Sequence, residues 1–545
     1  MKRLRIFVLL QEQQEAGRYE YIWYRNEVGG QSVEEYAIEL RGVTKTFGEV
    51  VANDNVNLTL KKGEILSILG ENGSGKTTLM NMLSGIYFPD KGEILVNGVP
   101  VTIRSPRDAF DLKIGMIHQH FKLIPIFTAT ENIILGQKEQ GRLNMDKKNR
   151  EIKELADTYG FDLEPQKKIY DMTVSQKQTV EIIKVLYRGA DILILDEPTA
   201  VLTPQETEKL FVILRNMKKA GKSIIIITHK LNEVLEISDR VAVLRKGKDI
   251  GTIDTKDATV ESLTEMMVGQ KVDLNIERDQ PEKPKEKLAV SDVSVYDREG
   301  VEVVKHVSFH AKSGEILGIA GVSGSGQKEL LEAISGLQTV ANGTITYVDA
   351  TGKETVISNM DVETRRRQNI KLSFAFVPED RLGMGLVGSM DLIDNMLLRS
   401  YDKGKGVVAD RKAPKELAEK IVKDLDVVTP SVHTPVSRLS GGNVQKVLVG
   451  REIAENPEVL VVSYPVRGLD INSSYAIYNL LNEQKRHGVA VICVIEDLDV
   501  LLELCDRILI LHAGEVSGIV DARAVTKDEL GLYMAGSRKD TEYYE

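Results

Sequence analysis

Cysteine is scarce in this chain of 545 residues, which contains only Cys493 and Cys505, both in apolar stretches. Two cysteines cannot build the framework of a disulfide-rich or zinc-binding domain, so we expect two reduced thiols in a core. Long hydrophobic runs are also missing, since no stretch of the sequence approaches the roughly 18 apolar residues of a membrane-spanning helix. The longest candidates, such as Val489–Ile495, are typical of central strands. The chain is therefore not expected to cross a membrane by itself.

An excess of basic residues is the third absence. Acidic residues number 81 and basic residues 71, which gives a net charge of −10. This balance argues against a general nucleic-acid binder, whose affinity depends on a basic surface, although it leaves room for a small basic patch. The length exceeds what a single hydrophobic core supports, so we predict two or more domains.

A glycine-rich loop is the most informative motif in the chain. The stretch Leu66–Thr78 leads from an apolar strand into a helix-forming segment and matches the phosphate loop G-x-x-x-x-G-K-[ST]. In such a loop, backbone N–H groups and the helix dipole bind phosphate. Lys76 is placed to bridge the outer phosphates, and Thr77 to hold Mg²⁺. The predicted nucleotide-binding residues of the loop are Gly70, Glu71, Asn72, Gly73, Ser74, Gly75, Lys76, Thr77 and Thr78.

Polar residues that follow later strands complete a candidate catalytic set. Asp196 and Glu197 end an apolar run, where Asp196 can hold Mg²⁺ and Glu197 can polarise an attacking water. Gln119 follows a second strand and suits Mg²⁺ and water, and His229 ends a third strand, where it can hydrogen-bond the γ-phosphate. Phe47, upstream of the loop, can stack on adenine. Each of the last three also has a structural explanation, as a surface amide, a strand-end histidine and a core aromatic.

The chain repeats itself. Residues 61–76 recur at 312–327 with an offset of 251, and residues 190–203 recur at 457–470 with an offset of 267. Repeats of this period are duplicated domains, and each half alternates strands with helical segments, which predicts α/β domains with largely parallel sheets. The predicted organisation is a disordered extension at 1–35, a first domain at 36–272, a polar linker at 273–287, a second domain at 288–536 and a tail at 537–545.

The second half carries one further anion-binding motif. Leu439–Lys446 reads LSGGNVQK, in which Ser440, Gly441 and Gly442 precede a helix and form an anion-binding nest. With the phosphate loop, the glutamine, the strand-end acids and the histidine, this motif makes the chain resemble the ABC ATPase family. The resemblance implies an α/β fold of two tandem P-loop nucleotide-binding domains, each with a helical subdomain. It also implies head-to-tail pairing of the halves. Each ATP then lies between the phosphate loop of one half and the signature motif of the other half, which in the second half is the nest at Ser440.

Within that family the chain resembles the tandem ATP-binding subunits of bacterial sugar and nucleoside importers. His118–Gly136 and Tyr187–Glu206 look most like the nucleoside branch, and Val377–Val387 fits the broader importer group. This resemblance implies an ATPase on the cytoplasmic side of the cell membrane, bound peripherally. Its implied partners are integral membrane permease subunits, which dock beside the segment after Gln119, and an extracellular solute-binding lipoprotein.

The two composite sites differ in their residues. Site one combines the first-half set with the nest at Ser440 and with Asp470 of the second half. In site two, six residues of the first-half set are replaced. Gln327 and Lys328 stand in place of Lys76 and Thr77, and Ser463 and Tyr464 stand in place of Asp196 and Glu197. Glu496 stands in place of His229, and Glu379 in place of Gln119. The facing signature, taken as Val174–Gln178, has lost both glycines, and Thr203 stands where aspartate is usual. We therefore predict that ATP is hydrolysed at site one, while site two hydrolyses it poorly or not at all.

Two other functions are compatible with tandem ATPase domains. A soluble ATPase that acts on ribosomes is expected to have a long basic connector and two catalytic glutamates, whereas this linker is short and mixed in charge and Tyr464 replaces one glutamate. A nucleotide sensor without turnover is disfavoured by the complete first site. The sequence does not identify the transported solute.

Overall fold

The computed structural model contains two α/β domains in tandem. It describes the backbone of residues 5–9 and 22–26, and residues 35–118, 121–137, 143–200, 202–271, 274–280, 284–358, 360, 364, 374–401 and 410–540. The predicted fold class of two tandem α/β domains is confirmed. No helix among the residues described is both long and apolar enough to cross a bilayer.

The first domain is built on two sheets. A six-stranded sheet has the order β12-β11-β5-β10-β9-β8, in which β12 alone runs antiparallel to its neighbour, and an antiparallel sheet has the order β4-β3-β6-β7. The central strands β5 and β10 are buried along their whole length because both faces of the sheet are covered. The strands, after an N-terminal pair β1 Arg5–Leu9 and β2 Ile22–Asn26, are β3 Tyr36–Phe47, β4 Val50–Lys61, β5 Ile65–Leu69, β6 Lys91–Val96, β7 Val99–Val101, β8 Ile114–Ile117, β9 Ile192–Asp196, β10 Ser223–Ile227, β11 Arg240–Arg245 and β12 Lys248–Asp254.

Helices cover this sheet and form a lobe beside it. The lobe, a helical subdomain, consists of α3, α4 and α5, and Thr128 and Thr173 cap α3 and α5 through capping boxes. The helices are α1 Lys76–Leu83, α2 Pro106–Asp111, α3 Ala129–Ile134, α4 Met145–Tyr159, α5 Val174–Tyr187, α6 Pro204–Lys219, α7 Leu231–Ile237 and α8 Val260–Val268, with 3₁₀ turns at Ile169–Asp171 and Thr255–Asp257.

The second domain repeats this plan. Its sheets have the orders β18-β19-β20-β15-β21-β22 and β14-β13-β16-β17. The strands are β13 Glu286–Tyr296, β14 Glu302–Lys312, β15 Ile316–Gly321, β16 Asn342–Val348, β17 Glu354–Val356, β18 Phe374–Val377, β19 Val459–Ser463, β20 Ala490–Val494, β21 Arg507–His512 and β22 Glu515–Asp521. The helices are α9 Gln327–Ser335, α10 Leu392–Leu397, α11 Lys412–Asp424, α12 Gly441–Ile453, α13 Ile471–Arg486, α14 Leu498–Leu504 and α15 Lys527–Met534, with a π-helical turn at Arg381–Gly385 and a 3₁₀ turn at Val436–Arg438.

The two domains touch through equivalent surfaces. Asn232 Nδ2 on α7 donates to Asp499 Oδ2 on α14 at 3.1 Å, and the two residues hold the same place in the repeat, 267 positions apart. Gln205 at the start of α6 donates to the carbonyl of Asp528 on α15 at 2.7 Å. Correspondingly, Ile471 at the start of α13 packs on the cluster that includes Leu263 of α8. The domains are thus related by an approximate two-fold axis that passes near Asn232 and Asp499.

The linker lies along the second domain. Arg278 donates to the carbonyls of Leu502 and Cys505 at the end of α14, at 2.7 and 2.6 Å. Arg486 forms ion pairs with Glu277 at 3.0 Å and with Asp279 at 2.6 Å. The boundaries chosen for the extension, the linker and the tail stay predictions.

Candidate nucleotide site

The phosphate loop is closely packed on its neighbours. Gly75 has φ 95°, and a Cβ there would lie 2.4 Å from the carbonyl oxygen of Ala52. A Cβ on Gly70 would lie 2.3 Å from the carbonyl oxygen of Leu244. Both positions therefore require glycine, for backbone conformation at Gly75 and for space at both.

The end of the loop is suited to an anion. Gly75 precedes α1 and provides no side-chain cap, so the first N–H groups of the helix face the loop. Ser74 Oγ is buried, with no hydrogen-bond partner for it among the described residues. The buried ammonium of Lys76 donates to the carbonyls of Gly70 and Glu71 at 2.5 and 2.9 Å. Burial lowers the pKa of Lys76, while the carboxylates nearby oppose that shift. A triphosphate would supply acceptors for these donors.

The strand-end acids face the same place. Burial, and then the charge of Glu197, raise the pKa of Asp196 to about 6, while Lys76 acts in the opposite direction. His229 Nδ1 lies 2.9 Å from Glu197 Oε1, and this hydrogen bond is the main reason why the pKa of Glu197 is lowered. Glu197 has φ 48°, held by its N–H bond to the carbonyl of Ile227 at 2.8 Å. The structure thus brings Lys76, Asp196, Glu197 and His229 together.

The donor set fits a magnesium ion. Thr77 is exposed at the start of α1, and the carboxylate of Asp196 is partly desolvated, so a hard cation would stabilise its charged form. Gln119, the third predicted metal ligand, lies outside the described residues. Phe47 is 43% exposed at the end of β3 and meets the Tyr87 ring edge-on, with 5.1 Å between centroids. Phe47 is therefore available for stacking on a base, and Tyr87 is a neighbour that the sequence did not indicate.

A loop of the second domain reaches the first-domain phosphate loop. The backbone N–H of Ile471 donates to Glu71 Oε1 at 3.3 Å. Burial raises the pKa of Glu71, the bond from Ile471 opposes this shift, and the charge of Asp470 adds to it. On its other side, Asp470 lies close to the nest, because a Cβ on Gly442 would be 3.3 Å from Asp470 Oδ2. Asp470 therefore connects the second-domain signature with the first-domain phosphate loop.

The nest itself is held by Asn443, the residue that follows its two glycines. Ser440 precedes α12, and its hydroxyl accepts a hydrogen bond from Asn443 Nδ2 at 2.9 Å. Asn443 Oδ1 accepts the N–H of Val428 at 2.9 Å. Asparagine at this position thus ties the nest to the segment that follows α11.

The matching loop of the second domain is organised differently. Gln327 Nε2 donates to the carbonyl of Val322 at 3.2 Å, and Lys328 lies 3.8 Å from Glu332. Ser463 Oγ is buried without a partner among the described residues, beside a cavity of about 310 Å³. Burial, followed by the nearby carboxylates, raises the pKa of Tyr464 to about 12, so its phenol stays protonated. The position equivalent to Glu197 thus carries a neutral phenol in place of a carboxylate.

The structure corrects one alignment. We took Val174–Gln178 as the first-domain signature, but α5 begins after Thr173, as α12 begins after Ser440. The preceding 3₁₀ turns are also 267 residues apart, so Thr173 matches Ser440 and the motif is Met172–Gln176. Both ranges end in glutamine, at Gln178 and at Gln176, so the helix cap is what distinguishes the two registers. Both glycines are still absent.

Comparison with known proteins gives a consistent family. A model described as ABC transporter matches residues 53–200 and 304–465. The guanosine import ATP-binding protein NupO of Bacillus subtilis is 45% identical to this chain, over 92% of this chain and 98% of the length of NupO. The nucleoside import ATP-binding protein NupA of Lactococcus lactis is 44% identical with the same coverage, and the glucose import ATP-binding protein TsgD13 of Haloferax volcanii is 40% identical over 92% of this chain and 96% of its own.

Proposed function

The chain belongs to the ABC transporter family as an ATPase that energises import, and we propose that it drives uptake of a nucleoside by hydrolysing ATP at one of two composite sites. A nucleoside as the cargo is supported by NupO and NupA, whose names state guanosine and nucleoside import. A simple sugar is the second candidate, because TsgD13 is named for glucose import.

The observation that carries the proposal is the contact between the domains at site one. Ile471 and Asp470 of the second domain meet Glu71 in the loop that also presents Lys76. ATP bound in that loop would therefore contact both domains at once. Closure of the Ser440 nest over the triphosphate is the step that we propose to couple ATP binding to movement of the halves.

Hydrolysis at site one depends on charge and positioning. Glu197 stays ionised at neutral pH, since its bond to His229 lowers its pKa, and it can orient a water and accept its proton. His229 is 54% exposed, and in this proposal it hydrogen-bonds the γ-phosphate. Lys76 stabilises the β- and γ-oxygens. Thr77, Asp196 and Gln119 would hold Mg²⁺, which when bound neutralises charge on the same oxygens.

Site two lacks this chemistry, and we propose that it does not turn over. Tyr464 has the backbone geometry of Glu197, with φ 47° against 48°, but presents a neutral phenol. Ser463 replaces the metal acid, and a hydroxyl gives no charge to a cation. Glu379 and Glu496 form ion pairs with Arg467, and their carboxylates offer no hydrogen-bond donor to a phosphate.

Both domains present an apolar loop beside the helical lobe, which supports docking of two permease subunits. In the first domain Ile126 is 67% exposed, and the buried side chain of Asn132 holds the loop by bonds to both backbone groups of Ile124 at 2.8 and 3.1 Å. In the second, Asn395 holds the exposed Val387 in the same way, at 2.8 and 3.2 Å. Rigid loops that expose apolar side chains are suited to a protein partner. The partners are then permease subunits and, beyond them, an extracellular solute-binding lipoprotein, with this chain peripheral on the cytoplasmic face.

Uptake measurements test the proposal. A strain lacking this chain is complemented with the wild type or with Lys76→Ala, and uptake of labelled guanosine, other nucleosides, ribose, galactose and glucose is compared. We expect nucleoside uptake to return only with the wild type, and the chain to co-purify with membrane subunits. Recovery of sugar uptake alone would show that the transported solute is a sugar and not a nucleoside. Co-purification with ribosomes, without any effect on uptake, would support the ribosome-associated alternative.

A further inference from the structure

Arg467 lies among the residues that replace the nucleotide-contacting groups in site two. Its guanidinium forms an ion pair with Glu379 and another with Glu496 Oε1, the latter at 3.2 Å from Nε. It also lies over the ring of Tyr464, 5.6 Å from the centroid. Glu379, Glu496 and Tyr464 are equivalent to Gln119, His229 and Glu197 of the first domain. The first-domain residue equivalent to Arg467 is Ala200.

The charges in this cluster are complementary. Burial alone would lower the pKa of Arg467, but the carboxylates of Glu496 and Glu379 outweigh burial and raise it. Arg381, two residues after Glu379, donates to the carbonyl of Arg467 as a second link between the same loops. A planar guanidinium can bond two carboxylates at once, which a single ammonium on a flexible stem does less well.

The loop that begins at Tyr464 leads directly to site one. Leu469 is buried in the core of the second domain, and Asp470 caps α13 by accepting the N–H of Ser473 at 2.8 Å. The next residue, Ile471, donates its N–H to Glu71 of the competent phosphate loop. Arg467 therefore lies four residues before the N–H that contacts Glu71, with Leu469 and Asp470 anchored between them.

We propose that Arg467 and Glu379 form a clamp between two loops of the degenerate site, and that this clamp positions Asp470 and Ile471 against the phosphate loop of site one. Arg467 is then a positioning residue for hydrolysis in the other composite site. The clamp links the loop of Glu379 to the loop of Arg467 through side-chain contacts of the chain itself. This inference rests on the proposed function only in taking site one as the site of turnover.

Steady-state ATPase measurements on the full chain test the clamp. Arg467→Gln should lower kcat about tenfold with KM for ATP changed less than about twofold, because small misplacement of groups around a reacting phosphate costs rate rather than binding. Arg467→Lys, which keeps the charge, should recover part of kcat. Arg486→Gln is the matched control, since Arg486 also bridges two carboxylates but lies on the linker side of α13, and it should keep the wild-type kcat.

Coupling to Glu71 separates positioning from general destabilisation. Glu71→Ala removes the acceptor for Ile471, so combining it with Arg467→Gln should lower kcat no further than the worse single change. A wild-type kcat in Arg467→Gln, or losses that multiply in the double variant, would overturn the clamp. If Arg467→Gln unfolds, Glu379→Gln with Glu496→Gln is measured against the same criteria. Turnover that survives Lys76→Ala would instead overturn the assignment of site one, which keeps the two failures distinct.

Discussion

Separate substitutions of Glu197 and Tyr464, the residues that follow equivalent strands, give the sharpest test of the proposal that only site one hydrolyses ATP. Glu197→Gln keeps the size of the side chain and removes the carboxylate that bonds to His229. A general base contributes about 10²–10⁴-fold to rate, which is about 3–5 kcal/mol of barrier. We expect kcat to fall by at least about a hundredfold, with ATP still bound.

The matched variant is Tyr464→Phe. Tyr464 lies at the equivalent strand end, with φ 47° against 48° for Glu197. The change removes only a hydroxyl that is protonated at neutral pH, since burial raises the pKa of Tyr464 to about 12. We expect kcat to stay within about twofold of the wild type.

Both variants are measured by phosphate release at saturating ATP, with ATP affinity measured under conditions without turnover. Thermal unfolding is the folding control, because the partly exposed Glu197–His229 pair is worth at most about 1 kcal/mol to stability. Comparable losses from Tyr464→Phe and Glu197→Gln would refute the asymmetry. So would a Glu197→Gln variant that keeps more than about a tenth of the wild-type rate.

Three further predictions concern the nucleotide contacts of site one. Lys76→Ala should abolish ATP binding and turnover in equilibrium binding and ATPase measurements, while the equivalent Gln327→Ala should leave both within about twofold; equal losses would contradict unequal sites. Phe47→Ala should raise KM for ATP about fivefold or more, because stacking on one base is worth about 1–3 kcal/mol, with kcat kept; an unchanged KM would exclude stacking. Gly442→Ala should lower both kcat and Tm, because its Cβ would lie 2.4 Å from a side chain of the next helix, whereas Gly441→Ala, at 3.5 Å from its nearest neighbour, should leave Tm unchanged; equal Tm values for the two variants would contradict the packing.

The sequence predicted much of the fold because the repeat and the apolar strands are strong signals. The phosphate loop, the strand-end acids and His229 were found because each follows a buried strand, and parallel strands bring their carboxyl ends to one edge. The signature register was wrong because glutamines end both possible motifs, at Gln176 and Gln178, and only the helix cap, Thr173, distinguishes them. Capping residues at domain repeats therefore deserve as much weight as motif identity.

What the sequence could not give is how residues from distant segments meet. The contact from Ile471 to Glu71 joins residues 400 positions apart, and no local pattern indicates it. The role inferred for Arg467 depends on its lying between Glu379 and Glu496, which are distant from it and from each other along the chain. The available signal was a difference inside the repeat, since an arginine stands where the first half has Ala200.

Comparison of the two halves distinguishes residues that the fold requires from residues that the chemistry requires. Thr203 and Asp470 hold equivalent positions, and both cap the next helix, with Thr203 Oγ1 accepting the N–H of Glu206 at 3.3 Å as Asp470 accepts that of Ser473. The cap is present in both domains, but the negative charge is present only in Asp470, which lies beside Glu71 of the first-domain phosphate loop. The proposal that only site one turns over accounts for this division, because each half supplies residues to both sites and needs to keep only those of the site that turns over.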